Sequence, residues 1–154
     1  MGPNLEKAIH ELSLRMRLIR AVQEDQRPEE SLTERESLIL QQLAEQGPMS
    51  VSQVAEAWPN VSESTISMTL TKLWKRKLVS KTISPDNQRV TLVDLGEKGR
   101  TELAKVLEQR SERFQALFKA IQVTPEERDV LIRICQRGVE FLDNVLGFGR
   151  TVKK

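Results

Sequence analysis

The chain contains one cysteine and one histidine. A single thiol forms no intrachain disulfide and no multi-cysteine metal site. A single imidazole supports neither a histidine-rich metal site nor a conventional nucleophile–histidine triad. The sequence has no glycine-rich phosphate loop and no G-x-S-x-G elbow. An enzyme is therefore disfavoured, and neither metal nor cofactor is expected. No apolar run approaches the roughly 20 residues that span a bilayer. The opening residues, MGPNLEKAIHEL, show no basic stretch leading into an apolar one, and no myristoylation pattern. These absences predict a cytoplasmic chain without membrane contact. Cys135 falls within an apolar helical stripe, where an inert buried thiol is expected. His10 sits beside Ile9 on the first helix, where a surface or interface role is expected.

The 154 residues are enough for one domain with a real core. With 38% hydrophobic and 30% charged residues, the composition suits a helical globular protein and argues against general disorder. The net charge of +2 says little alone, but its distribution is uneven. Between Val61 and Arg100, Lys72, Lys75, Arg76, Lys77, Lys81, Arg89, Lys98 and Arg100 face only Glu63, Asp86, Asp94 and Glu97. That local excess fits a phosphate-facing patch, and equally an ordinary solvated face.

Periodicity predicts mainly α structure with a small β-hairpin. A single domain is expected over 4–148, with a helix in 5–30, a central lobe over 31–96, further helices over 97–147 and a flexible tail at 149–154. Leu5, Ile9, Leu12, Met16 and Ile19 form the 4-3-4-3 seam of a helix that packs along another helix. Leu14, Leu18 and Ala21 form a second stripe, as if this helix served its own domain and a partner subunit. Three short helices then open with clear caps. Thr33 to Glu36 reads as a capping box, before a helix carrying Leu38, Ile39, Leu43 and Ala44 that stops at Gly47-Pro48. Ser50 to Gln53 reads as a second box, and Ser62 as the N-cap of the third helix. The period then switches: Leu78–Ile83 and Val90–Val93 read as strands joined by Ser84-Pro85-Asp86-Asn87-Gln88. Past Gly96, Leu103 to Ile121 mark a long helical stripe. Thr124-Pro125-Glu126-Glu127 opens a last helix, whose apolar residues run from Val130 to Val145.

The stretch from Met49 to Val93 is thus two helices joined by a turn, followed by two strands. The second helix places Ile66, Leu70 and Leu73 on one face. Its other face presents Ser64, Thr65, Met68, Thr71, Lys72 and Lys75, a pattern that fits a DNA major groove. The candidate DNA-binding residues are these together with Ser62. Ser50, Ser52 and Gln53 on the preceding helix are candidates for phosphate contact. Asn87, Gln88 and Arg89 are candidates at the hairpin, where Arg89 is placed to reach a minor groove. The competing expectation for Arg89 is a strand-edge pair with Asp86 or Asp94.

The stretch LTERESLILQQLAEQGPMSVSQVAEAW…VSESTISMTLTKLWKRKLVSKTISPDNQRVTLVDLGEKG resembles the MarR (multiple-antibiotic-resistance regulator) family of bacterial transcription factors. The likeness rests on Leu32-Thr33-x-x-Glu36, the Gly47-Pro48-x-Ser50 turn, Ser62-x-Ser64-Thr65-Ile66-Ser67, and Pro85, Arg89, Leu95 and Gly99. It implies a winged helix-turn-helix in a homodimer whose terminal helices interlock, each subunit binding half of a palindromic operator in double-stranded DNA. It further implies a regulator, more often a repressor, released by a small-molecule effector bound between the dimer helices and the winged helix. This sequence departs from the pattern at several points. Lys77 replaces the usual Gly after the recognition helix, Asn87-Gln88-Arg89 replaces Asp-Arg-Arg, and Gly96 follows Leu95 where Thr is usual. The altered wing keeps a second reading open, a winged-helix protein-interaction module that has lost specific DNA binding.

Overall fold

The computed structural model describes residues 2, 4–26 and 28–146; the tail expected at 149–154 lies outside them. In chain order the elements are α1 (Leu5–Asp25), α2 (Glu34–Gln46), β1 (Met49–Ser50), α3 (Val51–Glu56), α4 (Glu63–Lys75), β2 (Val79–Ile83), β3 (Thr91–Leu95), α5 (Glu97–Ala120) and α6 (Pro125–Leu146). The chain divides into two compact units, one ending at Arg35 and the other beginning at Glu36.

In the first unit, the Asn4 carboxamide oxygen accepts from the Glu6 amide and starts α1. Leu5, Ile9, Leu12, Leu18 and Ile19 are all exposed along it. Both expected stripes of α1 are thus open in the single chain. Arg20 pairs with Glu34 at 3.0 Å across the link to α2.

The second unit holds the core. Ile39, Leu40 and Leu43 of α2, Val54 of α3, Ile66, Leu70 and Leu73 of α4, and Leu78, Val79 and Val93 are buried. Burying each such side chain stabilises the fold by about 1.5–3 kcal/mol. Of the apolar residues read on α2, Leu38 and Ala44 are exposed. The buried arc of α2 is centred on Glu36, Ile39, Leu40 and Leu43, which puts Leu38 on the opposite side and Ala44 at its margin.

At Ser50, Ser62 and Thr124 the caps form as their sequences require. Ser50 and Gln53 complete a reciprocal capping box, and Ser62 accepts from the Thr65 amide. Thr124 and Glu127 exchange bonds of 2.9 and 3.2 Å at the start of α6. Gly47 ends α2 with φ +78°, a conformation open to glycine without strain.

The sheet has three antiparallel strands in the order β1-β3-β2. Val79 pairs with Leu95, Lys81 with Val93 and Ile83 with Thr91. β1 was not expected, because two residues after Pro48, the second itself a helix cap, are too few to show a period. It pairs Met49 with Val93 and so fastens the start of α3 to the hairpin.

The helices α5 and α6 make little core. Leu103 is buried in α5, no residue of α6 is, and Ile121, Phe141, Leu142 and Val145 are more than half exposed. Cys135, expected to be buried, is exposed. Its stripe is apolar as read, but nothing in the single chain covers it.

Candidate nucleic-acid interface

The elements α3 and α4 form a helix-turn-helix whose joint is built from polar anchors. Gln42, buried on α2, donates to the Val54 carbonyl at 3.4 Å and accepts from the Trp58 indole at 3.4 Å. The Val61 amide closes the turn onto the Trp58 carbonyl at 3.0 Å. This closes the Trp58-Pro59-Asn60 connection between α3 and α4. At the other end of α4, Arg76 reaches the largely buried Glu36 carboxylate at 3.4 Å. Lys81 of β2 lies 4.6 Å over the Trp74 ring, a cation–π contact that ties α4 to the hairpin. The recognition-type helix is therefore held to α2 and to the sheet.

The outward face of α4 carries most of the expected residues, but not all are equally free. Ser62 and Ser64 hydroxyls lie 3.2 Å apart, and those of Ser62 and Thr65 lie 2.7 Å apart. The Thr71 hydroxyl donates back to the Ser67 carbonyl at 2.9 Å. Thr65 and Thr71 are half-buried, so their capacity for outside partners is reduced. Met68, by contrast, is 62% exposed amid serine and threonine. Lys72 and Lys75 are exposed and enter no ion pair among the described residues.

On α3, Ser50 and Gln53 are committed to the capping box, which leaves the exposed Gln53 amide N–H groups as donors. The Ser52 hydroxyl donates to Glu63 at 3.2 Å. At the hairpin tip, the Asn87 side chain accepts from the Arg89 amide at 3.0 Å, and the Val90 amide bonds the Asn87 carbonyl. Asn87 thus shapes the tip, while Gln88 and Arg89 are exposed beside it. Neither Asp86 nor Asp94 pairs with the Arg89 guanidinium among the described residues; Asp94 accepts from its neighbour's amide at 2.7 Å. The competing strand-edge pair is not formed among the described residues.

A helix-turn-helix fixed to a three-stranded sheet, with an exposed arginine at the hairpin tip, is a winged helix. Residues 32–91 match the family model described as MarR family. Over this stretch the winged helix is similar to that of the MarR family. A MarR-family protein from Bacillus stearothermophilus is 21% identical, with 92% of this chain and 99% of that one covered at a TM-score of 0.67. BpsR of Bordetella bronchiseptica, whose DNA binding is regulated by 6-hydroxynicotinic acid, is 22% identical, with 86% and 98% covered at 0.59. A probable transcriptional regulator of Pseudomonas aeruginosa is 28% identical, with 71% and 80% covered at 0.50. At these identities the structural likeness is one of fold. None of the curated proteins compared matches the sequence.

Two features of this lobe were not foreseen. Glu63 stands at the head of the recognition helix, and Gly99 lies against the Leu78 backbone. An added Cβ at Gly99 would collide with the Leu78 carbonyl oxygen, and the Gly96 amide bonds that same oxygen at 2.9 Å. The start of α5 is thereby joined to the turn that follows the recognition helix. Lys77, in place of the usual glycine in that turn, takes φ 61°. An open groove of ≈ 780 Å³ runs between the end of α5 and α6, lined by Phe118, Arg128, Leu131, Cys135 and Gln136 among others. No helix is long and apolar enough to cross a membrane among the described residues.

Proposed function

We propose that this chain is a homodimeric, sequence-specific transcriptional regulator acting in the cytoplasm. It binds a palindromic operator in double-stranded DNA, most simply as a repressor, and a small-molecule effector releases it. The carrying observation is the outward face of α4, where exposed Met68 lies among hydroxyls with Lys72 and Lys75 exposed beside it. Lysines on this face supply affinity through phosphates, while Met68 and the hydroxyls meet base edges. Arg89 extends the contact into a neighbouring minor groove.

The unpartnered apolar faces of α1 and α6 support the dimer. Contiguous apolar surface of that extent is rarely left to water. In a dimer the two recognition helices must lie about one DNA turn apart, ~34 Å. A ligand that binds better to a different spacing loosens DNA binding by its difference in affinity for the two arrangements. Regulation of BpsR by 6-hydroxynicotinic acid supports an effector of small-molecule size here.

The test is selection from a random DNA pool with the purified protein, repeated at two salt concentrations. A palindrome whose binding falls steeply with salt is expected. Binding no tighter to any sequence than to bulk DNA would instead favour a protein-interaction module.

A further inference from the structure

Glu63 is the first residue of α4, directly after the Ser62 N-cap. Its side chain is exposed and takes part in no ion pair among the described residues. Its Oε1 accepts from the Ser52 hydroxyl at 3.2 Å, so the carboxylate is anchored to α3. A carboxylate at a helix start gains from the helix dipole, which accounts for its tolerance there. In the proposed complex, however, the N-terminal residues of the recognition helix meet base edges. A carboxylate in that position is repelled by phosphates and must find a donor.

Major-groove edges differ sharply in what they give a carboxylate. Guanine presents only acceptors, and thymine an acceptor and a methyl group. Adenine offers its N6 amino group beside the N7 acceptor, whereas cytosine offers its N4 amino group with no acceptor on its own outer edge. The neighbouring Ser62, Ser64 and Thr65 hydroxyls donate or accept and so impose no such choice. We propose that Glu63 is a specificity-determining residue that selects cytosine at one position in each half-site. Ser52 is its positioning residue. This rests on the proposed DNA binding.

The experiment is selection from a random pool with the full chain and with Glu63→Ala, Glu63→Gln and Ser52→Ala. Anisotropy titrations then use duplexes varied at the affected base pair. Wild type prefers cytosine there by about tenfold, the scale of one base-pair mismatch. Glu63→Ala loses that preference and keeps the rest of the motif. Glu63→Gln moves the preference toward adenine, whose N6 and N7 a carboxamide matches. Ser52→Ala weakens the cytosine preference without changing the base chosen. A Glu63→Ala protein that recovers the wild-type motif with undiminished discrimination overturns the proposal while leaving DNA binding intact. A wild type that recovers no motif overturns both readings.

Discussion

At the scale of single residues, charge and backbone conformation separate cleanly. Lys72 is exposed on the outward face of α4 and enters no ion pair among the described residues. Lys72→Ala is expected to weaken binding across all sequences and to lower the slope of log K against log salt by ~1. An unchanged slope in an anisotropy titration would remove Lys72 from the phosphate contacts. Arg89 has no acidic partner in the wing among the described residues. Arg89→Ala should therefore reduce operator affinity, and equal affinity would show that the wing does not enter the groove. Lys77 holds φ 61° where a side chain is strained. Lys77→Gly should stabilise the fold by up to ~1 kcal/mol, read as a raised urea midpoint at unchanged m. The left-handed turn at Lys77 was legible because the surrounding pattern asks for glycine there. Glu63 was passed over because a glutamate at a helix start has an ordinary dipole explanation. Only its bond to Ser52, eleven residues back, shows it anchored.

At the scale of elements, the joint between α5 and the end of α4 is the least tolerant place in the lobe. The glycine at position 99 lets α5 begin against the Leu78 carbonyl, and backbone cannot swing away as a side chain does. Gly99→Ala should cost at least about 1–3 kcal/mol, the range for overpacking. Thermal unfolding would show it, with a matching shift in α5 protection by hydrogen exchange. A variant as stable as wild type would mean that α5 is free to move off the turn. The helix starts at Ser50, Ser62 and Thr124 could be read directly, since a cap is a local exchange of bonds within four residues. The strand β1 could not, because pairing Met49 with Val93 is long-range and leaves no period in a two-residue segment. The exposure of Leu38 and Ala44 was not legible for a related reason. Several helical arcs of α2 are apolar, and only the packed neighbours select the arc containing Leu40.

At the scale of the whole molecule, the terminal helices carry apolar surface that one chain does not bury. Phe141 is 67% exposed and Val145 65% exposed on α6. If these faces join two subunits, Phe141→Glu with Val145→Glu should convert the dimer to a monomer in analytical ultracentrifugation. The same protein should lose high-affinity operator binding, since one half-site then acts alone. A double variant that remains dimeric would place the interface elsewhere. Cys135 belongs to the same question. Its apolar surroundings were readable, yet its burial was not, because burial is decided by what packs on α6.

The sequence by itself determined the local and periodic features of this protein. Caps, helix lengths, the switch to strands, the inner face of α4 and the family likeness over residues 32–91 all follow from short-range rules. The tertiary structure alone decided which groups are spent and which remain available. It assigned Gln42 and Trp58 to the joint, Asn87 to the wing tip, Arg76 to Glu36, and left Met68, Lys72, Lys75 and Arg89 facing outward. The reason is physical. A hydrogen bond or ion pair between distant residues depends on distances that folding creates, whereas helix and turn signals act over a few residues of chain.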